Sequence, residues 1–335
     1  MTNANDFDSS TSPVPRDPLD DMLYGLIKTQ MIGVVCKLGI PDMLKDGPKS
    51  IENLSSAIGA NQDSLYRLLR GLAAQGLFAS DEDSRFGLTP LGNYLRTDYP
   101  GSQHQFALNL TGPKWDMWAK LDQIVMTGNT FSMLTERAGY YGDGSGRTHF
   151  NRNMAVRDLA VRGAVIAAYD FSGISTLVDV GGGYGQYIFA ILDKYPNMRG
   201  VLFDLPATIK EADKETAADP TRERCDLIGG SYFEALPEGD ACWVKSVIMD
   251  NADEQAITIL SNCRQAVGDH GKVILVERIL LRPQDVFMDM IMMADTGGRV
   301  RTEGELRTLI TTSGLKLKQV IPTPSQYSVL ECVPA

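Results

Sequence analysis

The stretch 176–185 reads Thr-Leu-Val-Asp-Val-Gly-Gly-Gly-Tyr-Gly. Its first half is a short apolar run of strand length, its second a glycine turn, and a helical pattern opens directly after it. The same alternation repeats along the chain that follows. The runs VLFDLP (201–206), CDLIGG (225–230), CWVKSVI (242–248) and KVILVE (272–277) are separated by helical stretches, one of them opening near Asp253. Buried runs alternating with helices predict a parallel sheet with crossovers. The last two runs, LKLKQVI (315–321) and YSVLECV (327–333), are joined by a tight loop and read as an antiparallel hairpin. The fold class expected is α/β: a doubly wound, Rossmann-like seven-stranded sheet with a terminal antiparallel hairpin.

The turn also carries chemistry. Asp179, Gly181, Gly182 and Gly183 stand where glycines let a ligand approach the backbone closely. Asp204 closes the next strand, 23 residues beyond Gly181, at a place where a carboxylate accepts both hydroxyls of a ribose. Together they predict an adenosine-type ligand. A dinucleotide fingerprint would place its third glycine at position 186, where Gln186 sits. The triple glycine preceded by Asp179, which can hold an amino acid's ammonium, favours S-adenosylmethionine over NAD.

The N-terminal part has a different period. From Asp20 to about Leu44 apolar residues recur at helical spacing (Leu23, Leu26, Ile27, Met31, Val34, Val35, Leu38), with hardly a polar face around Met31 to Cys36, so a helix buried on most sides is expected. Two short helices joined at Gly59-Ala60-Asn61, a small hairpin and a helix opening at Thr89-Pro90 then give a winged-helix pattern. Arg67 and Arg70 lie where a recognition helix would sit, but Asp81, Glu82 and Asp83 put acid where a wing would meet phosphate. A structural or dimerising domain is the reading preferred. Between about Pro100 and Arg162 a helical stretch rich in large side chains, Trp118 and Met154 among them, reads as core with a pocket-lid role open to it. The expected boundaries are a disordered leader at 1–17, the winged-helix dimerisation domain at 18–100, a helical linker and substrate lid at 101–165, and the cofactor-binding catalytic domain at 166–335.

At 335 residues two domains are the natural expectation, and 43% apolar with 22% charged residues describes an ordinary globular chain. A net charge of −10 opposes a nucleic-acid partner. Five scattered cysteines without a C-x-x-C pair fit a reduced cytoplasm, and no run reaches the roughly 18 apolar residues of a membrane span. The first residues, MTNANDFDSSTSPVPRDP, lack the features of a signal peptide. Neither the carboxylates nor the three histidines form a metal-ligand pattern, so no metal is expected.

With these pieces in place, the chain resembles the plant-type and bacterial small-molecule O-methyltransferases from about Leu19 to Val333. The resemblance is carried by the winged-helix entry, FNRNM (150–154), DFSGISTLVDVGGGYG, LFDLP, IGGSYFEALP, WVKSVIMDNADEQAITIL, GKVILVERIL and MDMIMMADTGGRVRTEGELRTLI. It implies S-adenosylmethionine as cofactor, S-adenosylhomocysteine as product, a small-molecule substrate, and a homodimer interlocked through the N-terminal domain. It further implies that Asp179, Gly181, Gly182 and Gly183 cradle the amino-acid end, that Asp204 and Leu205 meet the ribose, that Tyr232 covers the adenine, and that Lys245 lies near the cofactor. Ser231 stands where the family usually has an Asp for the adenine amino group. Trp118, Met154, Met249, Met292 and Asp295 are implied on the substrate side.

Two departures bear on mechanism. The family's general base, a His before Asp and Trp, is replaced by Met249 in Met249-Asp250-Asn251, and a thioether takes no proton. The Glu that orients that base is replaced by Val300 in Gly297-Gly298-Arg299-Val300-Arg301-Thr302. Glu277 alone remains of the usual trio; His149 and Asp295 are the other candidates for a proton-handling group. The function expected is methyl transfer to an oxygen of a small acidic or aromatic secondary metabolite, driven by alignment with no dedicated base. The alternative expectation is an enzyme that keeps S-adenosylmethionine without spending its methyl, using the cation in a rearrangement, cyclisation or decarboxylation.

Overall fold

The computed structural model describes residues 17–81, 85–135, 159 and 161–335, in two compact units, Met1–Trp115 and Asp116–Ala335.

In the first unit the long helix read from the sequence is broken into Asp17–Leu23, Gly25–Lys37 and Ile40–Met43. The second break falls at Gly39, whose left-handed φ of 68° a side chain rarely adopts. Gly33 lets helix Gly25–Lys37 come close to helix His104–Thr111, because the Thr111 side chain occupies the space a Cβ would take. Helix Ile51–Ile58 starts at Ser50, whose hydroxyl accepts the Asn53 N–H, and stops at left-handed Gly59; helix Gln62–Ala74 starts at Asn61, which accepts from Ser64 N–H. The small sheet has β1 (Lys49–Ser50), β2 (Phe78–Ser80) and β3 (Arg85–Leu88) in the order β1-β3-β2. Where a helix is expected at Thr89-Pro90, Thr89 Oγ1 instead accepts from Gly92 N–H and a short 3-10 turn, Gly92–Leu95, follows. One side of the first helices packs on the unit's core through Val35, Cys36 and Ile40, while Met22, Leu23, Leu26 and Ile27 are at least half exposed.

The second unit holds one seven-stranded sheet: β4 (Thr176–Val180), β5 (Arg199–Asp204), β6 (Cys225–Gly229), β7 (Ala241–Lys245), β8 (Lys272–Glu277), β9 (Leu315–Pro322) and β10 (Ser328–Pro334). The order is β6-β5-β4-β7-β8-β10-β9, parallel through β8, with β10 antiparallel to both neighbours. The expected sheet and terminal hairpin are thus present. Alternate residues of the buried strands feed two cores. Val178, Val180, Val244 and Leu275 meet helices Asp253–Ala266 and Glu303–Thr312 on one face; Leu177, Trp243 and Ile274 meet helix Gln186–Lys194 on the other. Strand order reverses between β4 and β7, so the crevice at their carboxyl ends is where a doubly wound sheet takes its ligand. No described helix is long and apolar enough to cross a membrane, and all five cysteines are buried and free.

Candidate active site

The glycine turn after β4 is built by left-handed Gly181, Gly183 and Gly185, with φ of 69°, 60° and 80°. Gly181 N–H donates to Phe203 carbonyl at 2.8 Å, which ties the turn to β5. A Cβ at Gly182 would fall 2.6 Å from the carboxyl carbon of Asp179, a buried side chain, so the carboxylate lies directly against this turn. Beside it, Asp204 Oδ2 accepts from Gly183 N–H at 2.9 Å and Oδ1 from Leu205 N–H at 2.7 Å. The carboxylate is therefore oriented by backbone N–H groups at the strand end, where its oxygens can accept from hydroxyls. Gly230 N–H donates to Asp204 carbonyl, bringing Ser231 and Tyr232 to the same edge, and the Tyr232 ring comes within 3.8 Å of where a Gly181 Cβ would be. Asp179, the glycines, Asp204, Leu205, Ser231 and Tyr232 thus line the ends of three adjacent strands. A cradle that side chains would fill, with a carboxylate at each of two strand ends, fits an amino acid joined to a nucleoside.

Lys245 ends β7 with its ammonium over two rings, 5.2 Å from the centroid of Tyr187 and 4.7 Å from that of Tyr327. Its neighbour Ser246 has a left-handed φ of 55° and donates its N–H to Val276 carbonyl. A non-glycine residue held in this region beside the strand-order reversal marks a backbone constrained by its surroundings.

Across the crevice, Met249 sits in the one-turn helix Ile248–Asp250 and forms a buried cluster with Met292 and Val300, against which Leu280, Met288 and Ile291 pack. The turn is gripped from several directions. Glu277 Oε1 accepts from Ile248 N–H at 3.0 Å, Arg301 Nη1 donates to Ile248 carbonyl at 2.8 Å, and Arg301 Nη2 donates to Asn251 carbonyl at 2.8 Å and to Asp253 at 2.7 Å. Gly298 lies flat on the turn because a Cβ there would strike Met249 carbonyl and Asp250. Val300 N–H donates to Asp289 Oδ1 at 2.8 Å, fixing the 299–301 segment on helix Pro283–Asp295. Burial pushes the Glu277 carboxyl up to about 8; the Ile248 N–H opposes this, Asp250 adds to it, and Arg301 and Lys245 oppose it. Its Oε2 is buried with no hydrogen-bond partner among the described residues.

Asp295 closes helix Pro283–Asp295 half-buried, on the face that Met288 and Met292 occupy by their spacing of four and three. Trp118 packs one position away, with Met117, Phe131, Leu134, Met293 and Ala294. His149 and Met154 lie outside the described residues. His104 is buried in the first unit with Nδ1 on Leu95 carbonyl. Sequence reasoning missed the staple role of Arg301 and the positioning roles of Asp289, Tyr187 and Tyr327. Arg301 stood in a quoted motif, but only its 2% exposure reveals that its guanidinium serves the backbone.

Comparison with known proteins agrees with this geometry. Residues 118–316 match the model of the O-methyltransferase domain, and residues 21–98 that of the O-methyltransferase dimerisation domain. The chain is 36% identical to a phenazine O-methyltransferase of Lysobacter antibioticus, over 93% of this chain and 94% of that one. It is 32% identical to the mitomycin biosynthesis 6-O-methyltransferase of Streptomyces lavendulae, over 92% and 91%. The crystal structure of an O-methyltransferase from neocarzinostatin biosynthesis, solved with S-adenosylmethionine and 2-hydroxy-5-methyl naphthoic acid, superimposes with a TM-score of 0.84 at 26% identity, covering 97% of this chain and all of that one.

Proposed function

The chain belongs to the S-adenosylmethionine-dependent O-methyltransferases of secondary metabolism, and from that premise we propose that it methylates an ionised oxygen of a small aromatic acceptor with no general base of its own. The observation that carries this reading is the Met249–Met292–Val300 cluster, which fills with buried apolar atoms the two positions where the family sets a base and its orienting carboxylate.

When bound, S-adenosylmethionine supplies a methyl group on a sulfonium, already an activated leaving group, and departs as S-adenosylhomocysteine. The protein's part is then alignment. Asp179 and the glycine turn hold the amino-acid end, Asp204 and Leu205 the ribose, Ser231 and Tyr232 the base, and Lys245 the neighbouring strand end. The apolar wall of Met249, Met288 and Met292 receives a flat ring, and its thioethers adapt to the ring's outline. Asp295 stands on the same helix face as a polar contact for the acceptor. Holding nucleophile and methyl in line is worth effective molarities on the order of 10⁵ M or more, which an acceptor ionised at neutral pH can use without deprotonation. The aromatic acceptors named for the relatives support a flat substrate.

Glu277 acts in this reading as a positioning residue. A carboxyl held largely protonated at neutral pH is a poor proton acceptor, and its contact is with the Ile248 backbone. The expected homodimer rests on the dimerisation-domain match and on the exposed apolar side of the first helices.

The test is kcat/KM against pH for a series of phenols of graded acidity. The rate is expected to follow each acceptor's own ionisation. A single enzyme pKa governing every acceptor would show a base and overturn the reading; conversion of an acceptor without a gain of 14 mass units would favour the non-methylating alternative.

A further inference from the structure

The carboxyl ends of β4, β5 and β6 stand side by side, each about 4.8 Å from the next. On the cofactor reading above, on which this inference rests, a ribose anchored at Asp204 on β5 carries its purine over the end of β6. There the chain offers Gly230, Ser231, Tyr232 and Phe233. The segment is pre-set: Gly230 N–H donates to Asp204 carbonyl at 3.0 Å, Asn262 Nδ2 of helix Asp253–Ala266 donates to Tyr232 carbonyl at 3.0 Å, and Glu234 N–H donates to Ser231 carbonyl at 2.9 Å. Tyr232 meets Phe233 edge to face at 4.8 Å. The only side chain of these four residues that can both donate and accept at the purine's edge without a formal charge, apart from the phenol of Tyr232, is the Ser231 hydroxyl.

That hydroxyl accepts from Phe233 N–H at 3.3 Å. Its own proton and a second lone pair remain for a ligand. A carboxylate at this point would only accept, and so would demand an amino group and repel a carbonyl. A hydroxyl rotates to suit either. We propose that Ser231 sets the nucleobase selectivity of the cofactor site and sets it permissively, so that the site takes purines carrying either an amino or an oxo group at position 6. The rigid segment holds the hydroxyl in place, and the freedom resides in the proton alone.

The experiment is calorimetric titration of the wild-type protein, Ser231→Asp and Ser231→Ala with S-adenosylhomocysteine and with its 6-oxo counterpart, S-inosylhomocysteine. Wild type is expected to bind both within about tenfold of each other. Ser231→Asp is expected to reject the 6-oxo ligand by about 100-fold while keeping the 6-amino ligand, as a site built around one polarity of hydrogen bond does. Ser231→Ala, which loses donor and acceptor together, is expected to weaken both ligands about threefold to tenfold. Rejection of S-inosylhomocysteine by wild type by about 100-fold, or a Ser231→Asp ratio equal to that of wild type, would overturn the proposal. Should Ser231→Asp fail to fold, unchanged affinities in Ser231→Ala would overturn it as well. Binding of neither ligand to wild type is a separate result, which overturns the cofactor reading itself.

Discussion

Glu277 and Arg301 hold the same residue from opposite ends: Glu277 accepts the N–H of Ile248 at 3.0 Å while Arg301 donates to its carbonyl at 2.8 Å. The next residue is Met249, so both groups reach the buried Met249–Met292–Val300 cluster through the backbone. Arg301 spreads its planar fork over the carbonyls of Ile248, Asn251 and Arg299 and over Asp253, a pattern an ammonium cannot copy. Arg301→Lys is therefore expected to destabilise the protein by about 3 kcal/mol, the scale of a disrupted buried charge network, and to lower kcat more than tenfold. Urea unfolding and initial rates with one acceptor check both.

Glu277→Gln keeps an oxygen for Ile248 N–H and removes the titration. Because the carboxyl's folded value of about 8 lies above its unfolded one, the neutral form is favoured by folding. Its contribution is fully present below the unfolded value and is lost as pH rises through about 8. Wild-type stability should thus decline between pH 5 and pH 9 more steeply than that of the glutamine variant. Thermal midpoints across that range decide it; parallel curves would remove the assignment.

Met249→His with Val300→Glu puts a base and its orienting acid back into one cluster. Either change alone buries an uncompensated polar group and is expected to cost about 1–3 kcal/mol. Together they are expected to cost less than the sum, and to extend turnover to acceptors too weakly acidic for wild type. A double-mutant cycle on stability and a rate assay with a weakly acidic phenol measure the two effects.

Asp204→Asn leaves an amide oxygen for Gly183 N–H and halves the acceptor capacity toward a ribose. Loss of charge-assisted bonds of about 1.5–3 kcal/mol predicts S-adenosylhomocysteine binding weaker by about 10- to 150-fold, and Leu205 N–H, which then faces an NH2 group, predicts a stability loss of about 1 kcal/mol. Calorimetry gives the first value and thermal denaturation the second.

The doubly wound sheet was legible because its signals are local. Apolar runs such as TLVDV and KVILVE, alternating with helical stretches, mark central strands buried on both faces by crossover helices, and a glycine turn followed by Asp204 at the next strand end marks the ligand edge. The paired replacements Met249 and Val300 could be noticed in the sequence, 51 positions apart, but that they share one buried cluster with Met292 is a long-range fact. The same holds for Arg301: an arginine in a loop motif is ordinarily solvated, and only tertiary packing strips its water and turns it onto Ile248 and Asn251. The breaks in the first helix are not legible because hydrophobic spacing survives them, whereas left-handed Gly39 ends a hydrogen-bond ladder without disturbing that spacing. The helix expected at Thr89-Pro90 reduces to a 3-10 turn once the Thr89 hydroxyl accepts the Gly92 N–H.

The outward side of the first helices has a consequence for handling as well as for assembly. Leu23, Leu26 and Ile27 leave 66%, 59% and 50% of their surface in water, and any association that covers them adds its free energy to folding by mass action. Heat resistance should then be a property of the solution and not of the single molecule. The melting temperature is expected to climb as the protein is concentrated and to sag on dilution, so activity lost in a dilute assay would return when the sample is concentrated again.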